Sequence, residues 1–254
     1  MFKNAIARTP GNDFASGLTT SGLGAPDMDL ALEQPRAYIA TLEGLGVHVE
    51  VLPPLTGFPD ACFVEDTAVI VEEAAIITHS GAPSRVGETP TIAEAMAKYK
   101  TVIPITAPGA TIDGGDVLLV GNDFYVGLSG RTNQAGVDAF SAALAPFNRY
   151  SVTPVPLPSG LHLKSDVTQI ADNVVLITER MSDHPAFAKY RRVITPAGEE
   201  YGTNALLVNG TLIMSAGHPG AVKKCQDAGC NVKVLDMSEY KKMDGALTCL
   251  SLRF

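Results

Sequence analysis

The chain has 254 residues, 46% of them hydrophobic, and 27 acidic against 19 basic side chains give a formal net charge of −8. A chain of this length can bury a sizeable core, and an acidic composition without a Lys/Arg run argues against nucleic acid or an anionic membrane surface as partner. No apolar stretch reaches the length of a bilayer span, and the N-terminal "MFKNAIARTPGNDF" lacks the apolar centre of a secretion signal. Four cysteines are too few for a disulfide scaffold, and the spacing of Cys225 and Cys230 fits neither a metal knuckle nor a redox motif. The expectation is a reduced, soluble, cytoplasmic protein.

In chain order, "KNAIART" reads as a first strand, and a Gly-rich stretch from Gly17 to Gly24 follows it. A helical pattern, "LALEQPRAYIATLEGLG", stops at Gly44 or Gly46 and leads into the strand "VHVEVLPP". Next come an apolar hairpin at 67–78, "TAVIVEEAAIIT", the helix "TPTIAEAMAKYK" and the strand "TVIPITAP". The order then repeats: hairpin "DVLLVGNDFYVGL" (116–128), helix "TNQAGVDAFSAALAPF" with Thr132 or Asn133 as N-cap, and strand "YSVTPVPLP". A third pass gives hairpin "DVTQIADNVVLIT" (166–178), a weaker helical pattern over 184–192, and strand "RRVITPAG". A fourth gives hairpin "NALLVNGTLIMSA" (204–216), turned at Asn209-Gly210, then helix "HPGAVKKCQDAG" and strand "NVKVLDMS". The final "CLSLRF" lacks a mate in its own half of the chain, and "KNAIART" would supply one. Strand starts recur at roughly 40 to 55 residues, the spacing of propeller-like arrays. Each unit reads strand, loop, hairpin, helix. Five units closed into a ring would make a single domain over 1–254, with strands about an axis and helices outside.

A ring makes equivalent loops comparable. Between strand and hairpin the chain reads "GFPDACFVED", "GATIDGGD", "SGLHLKSD", "GEEYGTN" and "MDGALTC", and four of these end at Asp66, Asp116, Asp166 or Asn204. Gathered at one mouth of the axis, they offer carboxylates at Asp60, Glu65, Asp66 and Asp113, an imidazole at His162 and a thiol at Cys249. A thiol near a histidine is a nucleophile with a proton-transfer partner. The carboxylates would raise the thiol pKa, so they are wrong for activating Cys249 alone. They suit a planar guanidinium, which fits carboxylates in forked hydrogen bonds. Arg85 in "SRVGET" and Arg131 in "GLSGRTNQAG" hold similar positions in their units and would bind a carboxylate at the other end of the substrate. Arginine or an N-substituted arginine fits both ends. The competing bland readings are a structural histidine between Leu161 and Leu163, solvated arginines, and Cys249 as a small core residue. Cys62, Cys225 and Cys230 read as packing, and His48, His79, His184 and His218 receive no role.

The stretches "FPDACFVED", "SRVGET", "IDGGD", "GLSGRTNQAG", "LHLKS" and "DGALTCLS" resemble, in order and spacing and over nearly the whole chain, the dimethylarginine dimethylaminohydrolase family of the guanidine-modifying superfamily. The resemblance implies the α/β pentein fold, a five-bladed pseudo-symmetric propeller of ββαβ-type repeats. Cys249 then matches the nucleophile, His162 the general acid/base and Asp113 the active-site acid. Glu65 and Asp66 match carboxylates around the guanidinium. Asp60 and the Leu18 carbonyl match the α-amino site, Arg85 and Arg131 the carboxylate clamp, and Met243 a backbone contact ahead of the nucleophile. Gly17–Gly24 would be a substrate-covering flap. Some members carry a second cysteine directly after the nucleophile; here Leu250 stands there.

The implied activity is hydrolysis of N-omega-methylated arginine to citrulline and an alkylamine through a covalent cysteine intermediate. No metal or organic cofactor is expected, because the substrate itself provides the electrophile. The partner expected is the small-molecule substrate. Apolar outer helices or blade edges could support a homodimer, although no dedicated interface motif is present. Arginine deiminase chemistry, releasing ammonia, is the nearest alternative, and a non-catalytic propeller binding module is the alternative from another class.

Overall fold

The structure is a computed structural model that describes residues 1–254. Its backbone forms five three-stranded sheets of one pattern. In four of them a hairpin supplies two antiparallel strands, and in all five a third strand returns through a crossover to lie parallel to the central one. The hairpin β3 (Ala68–Ile70) and β4 (Ala74–Ile77) is joined through helix α2 (Thr89–Met96) to β5 (Thr101–Pro104). β6 (Val117–Val120) and β7 (Asp123–Leu128) connect through α3 (Gln134–Leu144) to β8 (Ser151–Pro156). β9 (Val167–Ala171), β10 (Val174–Ile177) and β11 (Arg191–Ile194) form the next sheet. β12 (Leu206–Val208) and β13 (Thr211–Ser215) lead through α4 (Pro219–Asp227) to β14 (Asn231–Leu235). A short α5 (Ser238–Lys241) then precedes the last turn.

The fifth sheet joins the two ends of the chain. β15 (Leu252–Arg253) pairs antiparallel with β1 (Asn4–Arg8), in the register Ala5 to Arg253 and Ile6 to Leu252. β1 pairs parallel with β2 (His48–Leu52) after α1 (Met28–Gly44). The closure expected from the orphan "CLSLRF" is present, and the architecture is a five-bladed α/β propeller. The repeat is nevertheless cut differently from the strand-loop-hairpin-helix unit read from the sequence. Each strand after a helix belongs to the preceding hairpin, because a parallel pair needs a long crossover and the helix provides it.

Local sequence explains the elements. Asp27 caps α1, its carboxylate accepting from the Asp29 and Leu30 N–H groups. Pro35 lies inside that helix and cannot donate to the Ala31 carbonyl. The buried Tyr240 hydroxyl donates to it instead, at 3.1 Å. The helix ends where Gly46 adopts φ +84°, with Gly46 and Val47 N–H donating back to Glu43 and Leu42. Asn133 is the N-cap of α3, accepting from Gly136 N–H.

The weak helical pattern over 184–192 does not form an α-helix. Two single 3-10 turns, Glu179–Met181 and Pro185–Phe187, fill that connection. Pro185 could open a helix, but β11 begins at Arg191, and the residues between leave room for fewer than two turns. No helix is long and apolar enough to cross a membrane.

Apolar side chains fill the space between sheets and outer helices in five clusters. The chain ends are also tied together by polar contacts. Asn209, at φ +47° in the β12–β13 turn, accepts from Phe2 N–H and donates to the Phe2 and Leu45 carbonyls. Asn209→Gly keeps the turn geometry and loses these bonds. It should lower the unfolding free energy by about 1–3 kcal/mol in urea titrations, and an unchanged midpoint would show that the side chain does not anchor the closing blade.

Candidate active site

Each hairpin is preceded by a 3-10 turn, and the turns meet around the axis. Thr248–Leu250 lies against Val64–Thr67, which touches Gly114–Asp116, then Leu163–Ser165, then Glu200–Thr203. These are the ends of the five loops the sequence aligned. A side chain at the start of one hairpin accepts an N–H from the neighbouring turn: Asp66 from Gly115 at 2.9 Å, Asp116 from Leu163 at 2.9 Å, and Asn204 from Thr248 at 3.0 Å. The turns pack so closely that a β-carbon on Gly114 would meet the Glu65 carbonyl oxygen at 1.9 Å.

A cavity of about 60 Å3 opens among these turns. Leu18, Asp60, Asp66, Arg85, Arg131, His162, Met243 and Cys249 all line it. Residues from the Gly-rich stretch to the last turn therefore converge. In the Gly-rich stretch, Thr19 and Ser21 donate to the Lys242 carbonyl, and Thr20 N–H and hydroxyl donate to Asp244. The volume has room for a few waters.

His162 is buried between two carboxylates. Its Nε2 lies 3.4 Å from Asp113 Oδ2 and 3.9 Å from Asp66 Oδ1. Burial by itself disfavours the imidazolium. The charge of Asp66, the hydrogen bond to Asp113 and the nearby Asp116 outweigh it and lift the pKa to about 9. Asp66 shifts the other way: burial opposes its charge, but the His162 imidazolium and the Arg85 guanidinium hold it well below the usual carboxylate range. Cys249 is partly buried, and its thiol is pushed up to about 12 by burial first and then by Glu65 and Asp66. The free protein thus pairs a neutral thiol with a charged imidazole near neutral pH.

Two residues sit apart from their expected places. Glu65 does not line the cavity; its carboxylate accepts from the Thr248 hydroxyl at 2.6 Å and pairs with Lys164 at 2.6 Å and Arg253 at 3.3 Å. The 3-10 turn turns successive side chains in different directions, so Glu65 and Asp66 cannot both face one mouth. Asp113 lies behind the lining, fully buried, where it accepts from Gly81 N–H and contacts His162 and Arg131.

Arg85 is not a free clamp arm either. Its Nε and Nη2 donate to Glu88, its Nη2 also to the Asp60 and Phe63 carbonyls, and its Nη1 to Asp66. One Nη1 proton remains for a ligand. Arg131, with 17% of its side chain exposed, is the more available cation. The Asp60 carboxylate, raised by burial, accepts from Leu18 N–H.

Sequence reasoning overlooked Glu88, Thr248 and Lys164, and read Asn204 only as the start of a hairpin. Glu88 stands one turn after Arg85 in "SRVGET", a spacing that could have signalled the pair. It also gave His218 no role beyond a turn or surface, but that side chain is buried and its ring lies 5.6 Å from Tyr201. Asp66, Asp113 and His162 present ligand atoms within 4.8 Å of one another, a set that could close on a metal ion. Binding there would have to displace the His162 proton.

Gly115 keeps this arrangement open. A β-carbon there would meet His162 Nδ1 at 2.5 Å and Asp66 Oδ1 at 2.7 Å. In Gly115→Ala, the imidazole should move off its carboxylates, and its NMR titration should fall from about 9 toward the ordinary histidine value; a variant still titrating near 9 would contradict the packing argument. The raised pKa also makes stability depend on pH. The contribution of protonated His162 is complete below about 6.5 and is lost as pH rises through about 9. Urea midpoints should therefore fall over that window in the native chain, and fall less in His162→Asn.

No family model matches the sequence. The N(G),N(G)-dimethylarginine dimethylaminohydrolase of Pseudomonas aeruginosa is 41% identical over 256 residues, covering all of both chains. The enzyme of that name from Streptomyces coelicolor is 38% identical, over 99% of this chain and 96% of its own. A solved structure of the Pseudomonas aeruginosa protein, its C249S mutant complexed with citrulline, superposes with a TM-score of 0.97 at 40% identity, covering both chains fully. With likeness of this degree along the entire length, the chain belongs to the dimethylarginine dimethylaminohydrolase family.

Proposed function

We propose that the chain, acting as one catalytic domain over residues 1–254, hydrolyses N-omega-methylated L-arginine to L-citrulline and methylamine or dimethylamine. The observation that carries the reading is the meeting of Cys249 and His162 with Asp66 and Arg131 in one cavity. The citrulline complex of the Pseudomonas aeruginosa relative supports it.

In this reading the substrate guanidinium lies against Asp66, with Asp113 behind, and its cation offsets the charge that keeps the thiol protonated. The Cys249 proton is then lost to solvent. The thiolate adds to the guanidinium carbon and forms a C–S bond. His162, an imidazolium up to about pH 9, gives its proton to the alkylated nitrogen, and the C–N bond breaks as the amine leaves. A planar S-alkylthiouronium remains. Neutral His162 next takes a proton from water, whose oxygen adds to the same carbon. Cleavage of the C–S bond restores the thiolate, and the hydroxyl proton of the adduct passes to solvent, where the released amine takes it up, leaving the neutral ureido group of citrulline. General acid-base catalysis supplies about 10²–10⁴-fold, and positioning and charge stabilisation the remainder.

At the other end, Arg131 takes the α-carboxylate with the remaining Arg85 proton, and Asp60 with the Leu18 carbonyl takes the α-ammonium. Met243 lends a backbone contact. Glu65 acts through Thr248, steadying the turn that carries Cys249. Every group comes from one chain, so a homodimer would leave the chemistry within each subunit. No step calls on a metal or organic cofactor, and the four free cysteines suit a reducing, cytoplasmic setting.

The test is a substrate panel of monomethyl-, asymmetric dimethyl- and unmodified arginine, with citrulline, alkylamine and ammonia measured together. Citrulline and alkylamine should form in equal amounts and disappear in Cys249→Ser, whose circular dichroism stays native. Ammonia from unmodified arginine as the main product would favour the deiminase alternative, and turnover by Cys249→Ser would end the assignment.

A further inference from the structure

Behind the active-site turn lies a second cavity, of about 300 Å3, between α1 and the strands β1 and β2. Its apolar wall includes Leu32, Ile39, Val51 and Leu250, and its charged wall is Arg8 and Arg36. Arg8 is only 6% exposed. Its Nη1 donates to the Pro53 carbonyl and its Nη2 to the Thr91 hydroxyl, both neutral acceptors. Its Nε is buried with no hydrogen-bond partner. That nitrogen has no accessible surface and faces protein, not the cavity, whereas one proton on each Nη is still uncommitted. The acid whose charge acts on Arg8 is Glu88, and that carboxylate is held by Arg85. A buried guanidinium met only by neutral acceptors is costly unless an anion offsets its charge.

From this combination we infer a binding site for a small monocarboxylate with an aliphatic body. The carboxylate would meet Arg8 and Arg36, and the alkyl part would lie along Leu32, Ile39, Val51 and Leu250. A guanidinium edge offers parallel N–H donors that match the two carboxylate oxygens. A zwitterionic amino acid fits poorly, because its ammonium would face either an arginine or the apolar wall. The site is separate from the substrate cavity and does not depend on the proposed activity. It is linked to that cavity by the chain, since Leu250 directly follows Cys249.

Isothermal titration of the full chain with 4-methylpentanoate tests the inference, with neutral 4-methylpentanamide as the isostere. The carboxylate should bind saturably at one site per chain, with saturating citrulline present or absent. The amide should bind at least about tenfold more weakly, and Arg36→Gln, at an exposed position, should weaken the carboxylate by a similar factor. Ile39→Phe, which fills the cavity, should abolish binding. Thermal unfolding of both variants checks that they remain folded. Absence of saturable binding, equal affinity for the amide, or binding that survives both substitutions would overturn the assignment.

Discussion

Buried polar side chains that reach from one blade to an N–H of another hold the centre of this molecule. Asp66 takes Gly115, Asp116 takes Leu163, and Asn204 takes Thr248, each close to 3 Å. Hydrogen bonds to a buried carboxylate are stronger than neutral ones and costly to leave unmade. The same bonds fix where each turn sits, so scaffold and site share residues: Asp116 holds Leu163 and thereby aims His162, and Asn204 holds the turn of Cys249. Asp166 departs from the pattern. It accepts instead from Thr178 and Arg180, in the blade whose crossover lacks an α-helix.

Charge at the centre is balanced within the protein before any ligand arrives. Asp66 faces Arg85 and His162, Asp113 faces Arg131 and His162, and Glu88 faces Arg85. Burial still pushes Glu88 up to about 7 against the pull of Arg85, and the nearby Asp66 and Asp60 add to the rise. The acids also raise the Cys249 thiol. In the proposed reaction this makes the nucleophile conditional, since a bound cation supplies the offset that the free protein lacks. A thiol kept neutral when the cavity is empty is also less open to oxidation.

Three consecutive residues near the C-terminus face three environments. Thr248 donates to Glu65 in the neighbouring turn, Cys249 opens on the cavity it shares with His162, and Leu250 forms part of the wall beside Arg8. A 3-10 turn spreads successive side chains around its axis, which makes this division possible. Any shift of the turn is felt at all three positions.

The sequence by itself determined the elements and their order. The alternating hairpins, the Asn209-Gly210 turn, the Asn133 cap and the orphan "CLSLRF" are local signals, and the recurrence of one loop pointed to a common mouth for His162, Asp66 and Cys249. It failed where local pattern competes with connection geometry, as over 184–192, where β11 begins at Arg191 and leaves too little chain for a helix. Tertiary structure alone decided how neighbouring side chains divide between partners. Adjacent Glu65 and Asp66 face different ways, Arg85 is spent on Glu88 and Asp66, and Arg8 is left with a donor unused. Sequence spacing reports which residues lie near one another along an element; the direction of a side chain in a tight turn, and the competition for its hydrogen bonds, exist only once all five blades are packed together.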